Sequence, residues 1–181
     1  MTSSIRLGQR RDAPALQQIE RLAGARFAEA GFAEVAAHDP FSIGELHDYM
    51  RAGRCWVAVD DTDLPVGYVV IDELDGCAHV EQVSVHPDHQ GHGWGRRLMG
   101  EAERWAVTHG YDAVTLTTFS DVAWNGPWYA ALGYSVMTEP EIGPELAAQR
   151  AEEAAHGLDP ADRWCMIKRV GPAGALRPPP T

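Results

Sequence analysis

Cysteine is scarce in this chain. There are three, Cys55, Cys77 and Cys165, at wide spacing and with no CxxC pair. That argues against a disulfide framework and a zinc ribbon, both of which need paired thiols. Long apolar runs are missing as well. No segment approaches the roughly 20 apolar residues that cross a bilayer. The opening "MTSSIRLGQRRDAP" lacks the apolar stretch of a secretory signal. Positive charge is also short, with 15 Lys and Arg against 26 Asp and Glu and a formal net charge of −11. A duplex nucleic-acid binder needs a basic footprint, so that class is disfavoured. A cationic small molecule or a basic peptide is the better-matched partner. Neither an internal repeat nor a domain linker is visible. The expectation is a reduced, soluble, cytoplasmic domain that takes neither nucleic acid nor membrane as partner. With 181 residues, 45% of them hydrophobic, the chain can bury one core.

What is present alternates between strand and helix patterns. "SIRLGQ" predicts a first strand. Asp12 is expected to cap a helix with Pro14 in its first turn. Leu16, Ile19, Ala23 and Phe27 recur at helical spacing and carry that helix to about Ala30, before Gly31. Ser42 and Glu45 predict a capping box for a second helix bearing Leu46, Tyr49 and Met50. "CWVAVDD" (55–61), "PVGYVVID" (65–72) and "AHVEQVSV" (78–85) predict three strands, the last ended by Pro87 and Asp88. Leu98, Ala102, Trp105 and Ala106 form the apolar face of a helix from Trp94 to about His109. "DAVTLTTF" (112–119) is a strand, and "NGPWYAALGY" (125–134) a short helix closed by Gly133. "YSVM" and "RWCMIKRV" (163–170) are the last strands, with an added surface helix between them at 143–157. The tail 171–181 is expected to be disordered.

Gly91, Gly93 and Gly95 stand where a strand must hand over to a helix. A helix N-terminus carries unpaired N–H groups and a positive dipole end, and glycine lets an anion approach the backbone. Strand, glycine turn and helix together are a phosphate-cradling design. Arg96 and Arg97 in the first turn oppose the helix dipole, and a bound diphosphate would reverse that sign. The spacing fits neither the dinucleotide fingerprint GxGxxG nor the P-loop GxxxxGK[ST]. A glycine-rich turn with no ligand is the competing structural reading.

"VSVHPDHQGHGWGRRLM" resembles the core motif of the GNAT N-acetyltransferase superfamily, in which a strand ending in V-x-P meets [Q/R]-x-x-G-x-[G/A] and then a helix. "NGPWYAALGY" resembles that superfamily's second motif. The two lie in order with one strand between them, and the likeness covers 5–170 as one domain. It implies an α+β fold: a central mixed, mostly antiparallel sheet with a splayed parallel strand pair and flanking helices. It implies an acetyl-coenzyme A-dependent N-acetyltransferase, with Gln90, Gly91, His92, Gly93, Trp94, Gly95 and Arg96 holding the pyrophosphate. The pantetheine arm would lie between strands 78–85 and 112–119, against the backbone of Val83 and Val85, with Asn125 on its other side. Tyr129 stands where the superfamily has a tyrosine that protonates the departing thiolate.

The attacking amine must be neutral, so a general base is useful. The superfamily's bases fall at positions matching His79 and Glu81, and strand alternation puts residues 79, 81, 83 and 85 on one face. Glu81 is favoured over His79, with a water chain as the alternative to both. His86, His89 and His92 cross a proline turn and a glycine loop, which does not converge three imidazoles, so no metal is expected. The acceptor is expected over the first two helices and the late strands. That region holds Phe27, Phe32, Phe41 and Tyr49, with acidic Glu29, Glu34, Asp39 and Glu45. The 138–163 insertion adds Glu139, Glu141, Glu145, Glu152 and Glu153. Acidic lining favours the primary amine of a small cationic molecule. A protein or peptide acceptor, a non-catalytic acyl-coenzyme A sensor and a homodimer all stay open.

Overall fold

The β-branched runs form a seven-stranded sheet in the computed structural model, which describes residues 4–171. Its strands are β1 (Ser4–Leu7), β2 (Cys55–Val59), β3 (Pro65–Leu74), β4 (Cys77–Val85), β5 (Ala113–Phe119), β6 (Ser135–Val136) and β7 (Arg163–Arg169). Their order is β1-β2-β3-β4-β5-β7-β6, and every neighbouring pair is antiparallel except β4 and β5. The helices are α1 (Ala13–Gly24), α2 (Arg26–Glu29), α3 (Ala33–Ala36), α4 (Ile43–Arg51), α5 (Trp94–Thr108), α6 (Gly126–Ala131) and α7 (Pro144–Ala155). This is the mixed, mostly antiparallel α+β architecture that the motifs imply.

Two apolar layers hold the sheet. On one face Leu98, Met99, Ala102 and Ala106 of α5 pack on Val69, Ile71, Val80, Val114 and Leu116. On the other, Leu16 and Ile19 of α1 and Leu46 of α4 pack on Val57, Tyr68 and Val70. α5 presents its apolar stripe as its 3.6-residue period dictates.

Strand β4 departs from simple alternation. Val70 pairs with Gln82, and the next residue, Ile71, pairs with Val80, so Glu81 is an extra residue in a β-bulge. The bulge reverses the parity of everything after it. Val83 and Val85 pack on the α5 side with Val80, while Ser84 and Gln82 oppose Tyr68 and Val70 of the other layer. The expectation that residues 79, 81, 83 and 85 share one face is therefore corrected.

Helix starts and stops differ in two places. Asp12 does not cap α1 with its side chain. The backbone there is already helical, and the buried carboxylate instead accepts from the Gln9 N–H at 2.8 Å and from Arg6 at 2.7 Å. The first helix breaks at Ala25, where hydrogen bonds shift to three-residue spacing, and Phe27 turns toward Phe119 with ring centroids 5.2 Å apart. The box on Ser42 and Glu45 forms as predicted.

The added helix α7 is tied down at both ends. Asp75, in the β3–β4 turn, accepts from the backbone N–H groups of Glu145 and Leu146 at 3.1 and 2.9 Å. Near the other end Glu153 pairs with Arg163 at 2.9 Å. No described helix is long and apolar enough to cross a membrane. Apart from Gly171, the tail lies outside the described residues.

Candidate active site

The parallel pair β4–β5 holds together at three positions, Ala78 with Val114, His79 with Thr115 and Val80 with Leu116. Beyond them the bulge at Glu81 turns β4 aside, and the strands part. The opening between them is a cavity of about 670 Å³. Residues 80–85 of β4 line one side of it, and Thr117, Thr118 and Phe119 of β5 line the other.

The glycine loop closes one end. Gly91 and Gly93 have φ of +78° and +81°, and a Cβ at either would meet nothing within 4 Å. The left-handed backbone turns the chain, and the empty space leaves its amides open to approach. Among the described residues no group accepts a hydrogen bond from the backbone N–H of residues 91–96. Gly95 has a different job, since a Cβ there would lie 3.1 Å from the Trp128 ring. Gln90 braces the loop: its amide donates to the Val85 carbonyl at 3.0 Å, and its oxygen accepts from Arg26 at 2.5 Å. Arg96 lines the cavity. His92 instead turns its Nδ1 to the Gln90 carbonyl oxygen at 2.9 Å and does not line it.

Asn125 and Tyr129 come from α6 and its N-cap. The Thr118 hydroxyl donates to Asn125 Oδ1 at 3.0 Å, while the buried Asn125 Nδ2 has no partner. An unmatched buried donor on a cavity wall is costly. Tyr129 is buried with 8% of its surface exposed, and its hydroxyl has no hydrogen-bond partner among the described residues. Burial holds its pKa well above the ordinary phenol value, with Arg163 opposing.

Glu81 sits where the strands divide, and it also lines a second cavity of about 400 Å³ with Tyr49, Asp72, Glu152, Glu153 and His156. Burial pushes its pKa up to about 7, opposed by the amide of Gln149 on α7, which donates to its carboxylate. His79 is fully buried and lines neither cavity. Its Nδ1 lies 2.9 Å from the Thr115 hydroxyl and its Nε2 3.7 Å from Glu81. Burial, with the charge of Arg163, pulls its pKa down to about 4, so it stays neutral near pH 7.

Part of the expected acidic lining is engaged within the protein. Asp72 accepts from the Tyr49 hydroxyl at 2.6 Å and from Arg54 at 3.2 Å, and Glu153 is paired with Arg163. Glu45 caps α4, Glu141 caps the turn after Thr138, and Glu139 meets Arg150. Phe27 and Asp39 do reach the larger cavity. Among the described residues no group of three or more His, Cys, Asp or Glu is placed to hold a metal ion.

A parallel strand pair that parts over a glycine-cradled helix start is the arrangement the sequence motifs anticipate. The model of the acetyltransferase (GNAT) family matches residues 17–134. This chain belongs to the GNAT family. It is an N-acetyltransferase by that membership. Among solved structures it resembles N-acetylglutamate synthase from Neisseria gonorrhoeae, complexed with coenzyme A and N-acetyl-glutamate, at 18% identity and a TM-score of 0.68. That match covers 94% of this chain but 35% of the synthase, so this GNAT chain spans about a third of that relative's length. The PaiA N-acetyltransferase from Thermoplasma acidophilum, in complex with coenzyme A, matches at 14% identity and TM-score 0.64, over 93% of this chain and 99% of that one. The ribosomal-protein-S18-alanine N-acetyltransferase from Escherichia coli matches at 17% identity and TM-score 0.65, over 97% and 99%. At such identities the likeness is one of fold.

Sequence reading of this GNAT site missed Arg26, Trp124, Gln149 and Arg163. Arg26 lies over the Trp124 ring at 4.2 Å while bracing Gln90. Gln149 and Arg163 arrive from the insertion and from β7, and no local pattern ties them to β4.

Proposed function

We propose that this GNAT enzyme transfers the acetyl group of acetyl-coenzyme A to a primary amine, and that the amine belongs to a small cationic molecule. The observation that carries the reading is a single cavity with free backbone N–H groups at one end and Glu81 and Tyr129 beside it. Acetyl-coenzyme A fits the residues present. Its pyrophosphate would take the open N–H groups of 91–96 and the charge of Arg96. Its amide-bearing arm would give the orphaned Asn125 Nδ2 an acceptor and lie along the β4 edge at Val83 and Val85, past the last pair with β5. Bound there, it supplies the thioester; the rest falls to the protein.

Glu81, with a pKa near the working pH, takes a proton from the ammonium at its carboxylate and leaves the nitrogen lone pair free. A group poised near neutrality holds its proton loosely enough to pass it on. Tyr129 keeps its hydroxyl proton until a thiolate develops beside it, as its raised pKa requires. His79, neutral and sealed off from both cavities, is not the base in this reading. Known fold relatives include enzymes named for amino-acid and for ribosomal-protein products, so a peptide amine is the second reading. A screen of small amines and N-terminal peptides with acetyl-coenzyme A, read by free thiol release, tests the proposal. Small amines are expected to score, and release from no acceptor at all would refute it.

A further inference from the structure

Helix α1 contributes one carboxylate to the large cavity, Glu20. Its Oε2 is held by two donors, the Tyr68 hydroxyl and the Phe41 N–H. Its Oε1 has no hydrogen-bond partner among the described residues, and no cationic side chain there lies within ion-pair distance of the group. A half-buried carboxylate with no ion-pair partner is unfavourable, and burial raises the pKa of this one, opposed by its bonds from Tyr68 and Phe41 and by the charge of Arg21. Two of the arginines on the wall are engaged elsewhere. Arg26 is held by Gln90 and Trp124, and Arg163 by Glu153 and Thr117.

The position is defined by register. Tyr68, which grips Glu20, is the Cα partner of Ser84, and Ser84, Gln82 and Glu81 all line the cavity. Glu20 is therefore held through the Tyr68 side chain on the same cavity that Glu81 lines.

We infer that Glu20 binds a second positive charge on the acyl acceptor, so that this enzyme prefers amines carrying a second cationic group. The inference rests on the acetyltransferase reading of the same cavity. It makes Glu20 a specificity-determining residue, and it makes the acceptor a diamine-like molecule rather than a simple alkylamine.

Glu20→Gln tests it, because the amide oxygen still accepts from Tyr68 and Phe41 while the charge is gone. Kinetics would be measured with α,ω-diaminoalkanes and with n-alkylamines of equal chain length, alongside coenzyme A affinity as a check on the cavity. Wild-type kcat/KM is expected to favour the matching diamine by roughly 10- to 100-fold, the worth of a hydrogen bond to a charged group. Glu20→Gln should erase that preference while leaving the monoamine rate and coenzyme A affinity in place. Equal wild-type rates for diamine and monoamine overturn the inference without touching the acetyltransferase reading, and so does a preference that survives in Glu20→Gln. If the wild type acetylates no amine, both fall together.

Discussion

Gln149 gives the sharpest test of Glu81 as the proposed base. Its amide donates to the Glu81 carboxylate and lies 3.4 Å from His79 Nε2. Gln149→Leu removes the donor and keeps a good helix former at its place on α7. A hydrogen bond to a charged group contributes about 1.5–3 kcal/mol, and about 1.4 kcal/mol corresponds to one pKa unit. The Glu81 side chain keeps 27% exposure, so water replaces part of the lost bond and the lower end applies. The donor favours the ionised form, so its loss raises the pKa of Glu81 from about 7 by about one unit. As the proposed base, Glu81 must be ionised to act, so the acid limb of kcat/KM moves to higher pH. Profiles for wild type and variant would be recorded with one amine at saturating acetyl-coenzyme A, so that the titration of the amine cancels in their ratio. That ratio should reach roughly tenfold below pH 7 and approach one well above pH 8. A ratio that is constant across pH would refute the reasoning, since a merely structural loss has no reason to recover in alkali.

Tyr129→Phe keeps the ring and removes the proposed proton donor; single-turnover transfer should fall about 10²–10⁴-fold with coenzyme A affinity unchanged, and a wild-type rate would make Tyr129 a packing residue. Gly93→Ala places a methyl group in open space at φ +81°, so the chain should fold at a cost of about 1–2 kcal/mol while coenzyme A affinity by calorimetry drops; unchanged affinity counts against the cradle. Gly126→Ala would set a Cβ 2.9 Å from the Phe119 and Ser120 carbonyl oxygens and from Trp164, so urea unfolding should show a loss of about 1–3 kcal/mol. Between pH 6.5 and about 4 the unfolded chain protonates His79 and the folded chain does not, so stability should fall with pH at up to about 1.4 kcal/mol per unit, and His79→Gln should flatten that slope in denaturant titrations.

What the sequence made legible were the features written locally. The loop "GHGWGRR", the stripe Leu98–Ala102–Trp105 and the box Ser42–Glu45 each depend on residues within two turns of one another, and each is found where its spacing puts it. What stayed hidden depended on partners far along the chain. Glu81 is a bulge because of how β4 meets β3, and nothing in "AHVEQVSV" announces an extra residue. Asp12 reads as a cap until Arg6 claims its carboxylate. Gln149 looks like an ordinary helix-surface residue, and only the clasp of Asp75 on the start of α7 carries it 68 positions back to Glu81. The acidic residues of the insertion look like a lure for cations in sequence, yet several serve as caps and ion-pair partners.

The three-position seam between β4 and β5 has a mechanical meaning. It joins two half-sheets, β1 to β4 and β5 with β7 and β6, and apart from α5 bridging both it is their backbone join. Past Val80 and Leu116 each half presents a raw edge of unpaired amides to the cleft. An extended ligand arm lying there would act as a missing strand, stitching one half to the other. Exchange of the cleft-facing amides of residues 81–85 and 117–119 should thus be fast in the free protein and slow sharply on coenzyme A binding, while amides bonded across β1–β2 and β5–β7 change little.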